Sequence, residues 1–297
     1  MKHAILRPEV SKWQEMEAEG ALDYETVLVT VAAWSQPEDD ISMTSVTSEL
    51  DSLASRVLAH LHSVQPSHKI FEAVRAEQEA REEANVDWSR IPSLEKSENL
   101  WSSQESKDIL ASTNHILYTI DRFASDHPPF FNANIFFIDK VLGSKKGHSM
   151  TLSLLYMCVV ARLGVVLHPV TPGFFVLKWL EHPEQQEARL RFTFIDAFAQ
   201  GKQMTEHEAR AMVPHLVVQD ESYAVAGPMA VAQRMLRNLI SIGSSRNNSY
   251  LRDPSYGLLR SSLELMLVLT SIDTMQYGFM LSRVYLQLNI NHEDVMR

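Results

Sequence analysis

The chain has 297 residues, 45% of them apolar and 22% charged, with a formal net charge of −10 and a sequence pI near 5.6. That composition suffices to bury the core of one large domain or two modest ones. The acidic balance, with Lys145-Lys146 the densest basic spot in the middle of the chain, excludes the clustered cations that nucleic-acid binding requires.

A single cysteine, Cys158, leaves no internal disulfide and fits a reducing compartment. The segment from Met1 to Glu9 lacks the apolar core of a signal peptide. No stretch reaches the ~18 apolar residues of a membrane span. Together these features predict a cytoplasmic or nuclear protein with no membrane and no nucleic-acid partner.

In chain order, Leu22 to Trp34 reads as an apolar helix that stops before Pro37. Val46, Leu50, Leu53, Val57, Leu58, Leu61 and Val64 form a helical stripe over 44–64. Residues 69–84 continue as helix, but Glu72, Glu77, Glu79, Glu82 and Glu83 make one face wet. Residues 85–106 have no periodicity and predict a loop or insertion, with Trp88 and Trp101 either tying it down or facing a partner. Helix resumes through Ile109, Ile116, Ile120 and Phe123 and stops at His127-Pro128-Pro129. A short helix through Ile135, Ile138 and Leu142 then ends at Gly143.

The helix over 149–163 is apolar nearly all round, so every side of it must be covered, and it should be the central helix of its domain. Ser149 sits where an N-cap belongs and Gly164 where a left-handed C-cap residue belongs. Strands follow at 165–170, 174–180 and 190–196, the last with Leu190, Phe192 and Phe194 alternating with Arg191 and Thr193. A polar hairpin loop at 181–188 makes the sheet small and antiparallel. Thr205 and Glu208 form a capping box. Pro228 opens a helix that runs to Gly243, and a polar loop leads to two helices near 255–270 and 275–289. These form a hairpin with Leu258, Leu259, Leu263, Tyr277, Leu281 and Tyr285 inward.

Three groups invite a chemical reading. Cys158 lies in the middle of an apolar helix, which raises a thiol pKa and hides it, so it reads as core filler. Ser149, with His148 beside it, stands at a helix start. It is either a cap or a nucleophile in need of a base within hydrogen-bond reach. Asp196, closing the strand Phe194-Ile195-Asp196-Ala197-Phe198, either orients a catalytic histidine or holds the backbone of the turn at Gln200-Gly201. His60 and His62, two apart on a helix, point to different faces and cannot share an ion, so no metal site and no cofactor are expected.

Several segments carry a family resemblance. They are Gly147 with Ser153-Leu154-Leu155-Tyr156, Ala161-Arg162-Leu163-Gly164-Val165, Phe175-Val176-Leu177-Lys178-Trp179 and Ile195 to Thr205. Weaker echoes are Asn114 to Tyr118 and Gln233 to Leu239. From Tyr24 to Leu288 the chain resembles the transglutaminase-like domain family. The branch is the one found in the middle of certain F-box proteins and in bacteria, followed there by tetratricopeptide-like helices. The resemblance implies an α+β, mostly helical fold. It would have a papain-like core with a central buried helix and small antiparallel sheet, then a helical hairpin region. It divides the chain into an N-terminal helical region (1–104, with a loop or insertion at 85–104), the core (105–215) and C-terminal helices (216–297).

Residue by residue, the resemblance places the nucleophile slot near Ser149, the histidine slot at Phe174 and the acid slot at Asp196. Cysteine and histidine are both missing, which implies a catalytically inactive domain. The old cleft would be lined by His148, Thr151, Pro172, Phe175 and Trp179. The F-box relatives recruit substrates to a cullin-type ubiquitin ligase, which implies protein partners: ligase components or substrate. From the sequence as read, neither an F-box before residue 20 nor a small β domain after the helices is expected. Two rival expectations stand beside this: a hydrolase or acyltransferase using Ser149, His148 and Asp196, and a scaffold whose C-terminal helices dock a partner helix.

Overall fold

The computed structural model describes residues 13, 15, 16, 19, 22–84, 99–126, 132–171, 174–181, 192–212, 224–244, 255–270 and 274–290, the side chains of 77, 78, 80–84 and 274 aside. After helical residues Trp13, Glu15 and Met16, the described helices begin with α1 (Tyr24–Ser35), α2 (Met43–Val64), α3 (Ile70–Ala84) and α4 (Ser103–Asn114). A π-helical turn, His115–Ile120, continues α4. Next come β1 (Ala124–Ser125), a 3-10 turn (Ala133–Phe136), α5 (Ile138–Ser144), β2 (Lys146–Gly147) and α6 (Ser149–Ala161). The sheet strands are β3 (Leu167–Val170), β4 (Val176–Leu180), β5 (Phe192–Asp196) and β6 (Lys202–Met204). The helices α7 (Glu206–Ala211), α8 (Pro228–Ser244), α9 (Tyr256–Leu269) and α10 (Thr274–Gln287) complete the order.

The contacts divide the chain into two compact units that interleave in sequence. One holds 1–43, 126–140 and 227–297, the other 44–125 and 141–226. They therefore follow a different partition from the three consecutive parts expected above.

In the second unit, β3 to β6 form one antiparallel sheet in sequence order, with Leu177 opposite Ile195 and Lys178 opposite Phe194. Side chains alternate across it. Val170, Val176, Phe194 and Met204 pack with Ala209 of α7 on one face. Leu167, Leu177, Trp179 and Ile195, all buried, occupy the other, where α6 packs on β3 and β4. Every residue of α6 from Met150 to Val160 is buried, as a helix with no polar face requires.

Both ends of α6 are fixed. At its C-terminus, Gly164 N–H donates to Ala161 (2.9 Å) and Val165 N–H to Val160 (3.1 Å), which is a Schellman closure. Gly164 has φ +77°, and a Cβ there would meet Leu100 and the Trp101 indole nitrogen. Trp101 donates to the Leu163 carbonyl at 2.6 Å, so it ties its segment down. Trp88 lies outside the described residues. Arg162 is buried, with Nε donating to Asp51 Oδ1 at 2.6 Å, which joins α6 to α2.

In the first unit, α1 is buried from Val27 to Ser35 and packs on α8 and α9. Trp34 donates its indole N–H to the Ser261 carbonyl at 2.9 Å. The hairpin of α9 and α10 is present, with Leu259, Leu263 and Leu281 buried, and Leu265, Met266 and Val284 buried beside them. Leu258, Tyr277 and Tyr285 are only half-buried.

Several boundaries differ from the sequence expectation. The α4 helix begins at Ser103, where Ser102 and Glu105 make a capping box that periodicity overlooks, and the helical run ends at Ile120 rather than near His127. The helix expected through 135–142 is broken by extended backbone at Phe137. On α2, Leu58 is half-buried and Val64 exposed. Phe192, the first residue of β5, is exposed, with Lys178 Nζ 3.9 Å from the centre of its ring. The loop at 182–188 lies outside the described residues.

Candidate functional site

The N-terminus of α6 is built by β2. Gly147 is there because Leu152 and Val141 leave no room for a Cβ. His148, extended at φ −75° and ψ 156°, is the N-cap, and its Nδ1 accepts from Met150 N–H at 3.3 Å. Ser149 is the first residue of the helix rather than its cap. The correction has a chemical consequence: the imidazole nitrogen a base would use is occupied by a backbone donor, and the neutral ring then carries its proton on Nε2. Ser149 is half-buried.

Cys158 is buried about two and a half turns into α6, far from the amides and dipole that would favour a thiolate. Its carbonyl accepts from Arg162 Nη1 at 2.9 Å.

Phe174, which the resemblance would put in the histidine slot, packs against the apolar cluster of Val170, Val176, Phe194, Met204 and Ala209. Asp196 is buried at the end of β5. Its Oδ1 accepts from Phe198 N–H (3.0 Å) and Ala199 N–H (3.1 Å), capping the 3-10 turn Ala197–Ala199. Burial pushes its pKa up, opposed by those two amides and by Lys202. Of the two readings left open by the sequence, the geometry has Asp196 holding the turn.

Three residues that the chemical reading of the sequence missed surround this turn. Tyr118, on the π-helical turn, donates its hydroxyl to the Ala197 carbonyl at 2.8 Å. Tyr156 of α6 donates to Asn114 Oδ1 at 2.9 Å, and Asn114 Nδ2 reaches the Gly201 carbonyl at 3.4 Å. The two phenol rings stack with centroids 6.4 Å apart. Burial, with Tyr156 and Asp196 nearby, holds the Tyr118 pKa well above the phenol range. Asp196 and its turn are therefore next to phenols and amides. The π-turn aims Tyr118 at Ala197, consistent with the frequency of such bulges at specialised positions. The signal in the sequence was Tyr156, a polar-tipped side chain in an otherwise apolar helix, which needs a partner when buried.

Of the cleft residues expected, Thr151, Phe175 and Trp179 are buried and act as packing rather than an open wall. His148 is half-buried, and Pro172 lies outside the described residues. Among the described residues no group of three or more His, Cys, Asp or Glu could hold a metal ion.

The sequence model described as Transglutaminase-like superfamily matches residues 44–237. The chain is 29% identical over 279 residues to F-box only protein 21 of Pongo abelii, covering 92% of this chain and 41% of the relative. It is 29% identical over 277 residues to F-box only protein 21 of Homo sapiens, covering 90% of this chain and 40% of the relative. The protein of that name from Mus musculus has the same identity over the same length. The chain thus spans about two fifths of the curated relatives it matches. No solved structure gives a significant match. The family match runs from α2 to α8, across the central helix, the antiparallel sheet and the acid-capped turn, and the chain belongs to the transglutaminase-like superfamily.

Proposed function

We propose that this chain is a protein-recognition module on a transglutaminase-like scaffold without acyl-transfer chemistry, selecting substrates for an F-box and cullin type ubiquitin ligase in the cytoplasm or nucleus. The observation that carries it is the state of the three chemical slots. The α6 N-terminus presents a hydroxyl, the histidine slot holds a benzene ring in an apolar cluster, and the buried acid caps a backbone turn. A thiol nucleophile needs all three roles together, and losing one member of such a unit costs nearly as much as losing all. The link to ligases rests on the relatives named F-box only protein 21. The C-terminal helices α8 to α10 are read with it as tetratricopeptide-like packing surfaces.

Two measurements test this reading. Affinity purification of the chain from cells under mild conditions, with quantitative mass spectrometry, is expected to recover cullin-ligase components. Their absence from every replicate overturns the ligase part. Purified chain is expected to leave amide and ester substrates intact. Turnover that disappears in Ser149→Ala instead assigns the domain to the hydrolases or acyltransferases and overturns the inactive reading.

A further inference from the structure

The helix α10 is apolar on two opposite sides. Leu281 and Val284 are buried against the rest of its unit. At 100° per residue, Met275, Phe279, Ser282 and Leu286 fall within about 60° of arc on the other side. There Met275 is 76% exposed, Phe279 68% and Leu286 77%. The stripe runs about 16 Å, three helical turns. It is bordered by an open groove of about 480 Å³ lined by Met275, Gln276, Phe279, Met280 and Arg283.

The two flanks of the stripe are polar. On one, Tyr285 is pinned by its hydroxyl to Glu264 at 2.8 Å, and Glu264 is paired with Arg260 at 2.7 Å. On the other stands Arg283, which has no ion-pair partner among the described residues. An apolar centre of large, flexible and aromatic side chains inside a polar rim is the anatomy of a recognition surface.

We infer that this face of α10 docks an amphipathic helix of a partner protein whose apolar stripe carries an acidic residue opposite Arg283. Length and spacing fit anchors at i, i+4, i+7 and i+11, the helix-in-groove mode of recognition. Charge selects the occupant. Arg283 is the only charged residue of α10, which contains no Asp or Glu. A second copy of the chain packed antiparallel on this face would supply no acid from its own α10 and would add a second guanidinium. A partner helix bearing a carboxylate satisfies the cation instead. The inference concerns a different helix from the one argued on above, so it can fail without changing the outcome of the turnover or affinity-purification measurements.

The test is fluorescence anisotropy of the full chain with a labelled synthetic peptide of about five helical turns, with Leu at i, i+4, i+7 and i+11 and Glu beside them. The net charge of −10 opposes non-specific capture of an acidic peptide. Saturable binding is expected, weakened at least tenfold by Phe279→Asp and by Arg283→Glu. Both substitutions are on exposed or rim positions, and circular dichroism melts check that the fold is retained. Arg283→Glu is further expected to prefer the peptide in which Lys replaces Glu. No saturable binding, or equal affinity of both variants and the parent chain, overturns the inference. A concentration-dependent dimer that Phe279→Asp dissolves gives this face to a second copy and also overturns it.

Discussion

At the scale of single residues, Asp196 is a buried backbone cap, and that has a measurable sign. Burial raises the Asp196 pKa, so the folded state binds its proton more tightly than the unfolded state does. The charged form then costs stability, and stability from this group falls as pH rises upward from its ordinary value near 4. Asp196→Asn keeps an acceptor for the Phe198 and Ala199 amides and removes the buried charge. It is expected to leave stability at pH 7 unchanged or slightly higher. Asp196→Ala loses the cap and is expected to cost about 1 kcal/mol. Urea unfolding of both variants at pH 4.5 and 7 checks this, and a large loss in the Asn variant at neutral pH would contradict it. His60 behaves oppositely. Its ring stacks on His115 with centroids 4.2 Å apart, and burial with that neighbour lowers its pKa. The unfolded chain then takes the proton first, so stability is lost as pH falls below about 6.5. Replacing His60 by Gln is expected to flatten the acid limb of a stability profile between pH 7 and 5.

At the scale of elements, α6 shows what a sequence discloses and what it withholds. Its burial was legible because no face is polar, and its end because Gly164 is where a left-handed residue belongs. Its beginning was misplaced by one residue, since serine is the commoner cap and only the three-dimensional path makes the His148 ring fold back on Met150. Arg162 reads in sequence as an interruption of an apolar run. In the fold it is a buried cation whose partner, Asp51, is on α2, over a hundred residues earlier, which no local pattern announces. The pair makes a strong prediction. Asp51→Ala leaves a guanidinium buried without its carboxylate and is expected to destabilise by about 3 kcal/mol, whereas Asp51→Ala with Arg162→Met is expected to recover most of that loss. A double-mutant cycle in chemical denaturation measures it. Additive losses would mean that the pair is solvated and worth little. The acid-slot cluster is a similar case. The Asn114 to Tyr118 echo and the Ile195 to Thr205 segment were both visible, but their meeting depends on a π-turn, which has no period that a sequence reading can detect.

At the scale of the whole molecule, each compact unit gathers segments that lie far apart in sequence. Periodicity identifies α1 as an apolar helix but not what covers it, because the covering elements, α8 and α9, begin about two hundred residues later. The helix must be covered on nearly every side, since Val27 to Ser35 are all buried. The cover includes a hydrogen bond that only Trp among the large apolar residues could make, from the Trp34 indole to the Ser261 carbonyl. Trp34→Ala therefore removes a large buried side chain together with its hydrogen bond to the Ser261 carbonyl of α9. A loss of about 3–5 kcal/mol is expected. Hydrogen exchange locates it: amide protection should fall in 24–35 and also in α8 and α9, although neither is near position 34 in sequence. Trp34→Phe separates the two contributions, because it keeps most of the ring packing and drops the N–H donor, so it should cost about 1–3 kcal/mol with the same pattern of exchange. Loss of protection confined to α1 in both variants would show that α8 and α9 hold together without it, and that the first unit is assembled differently from the packing described.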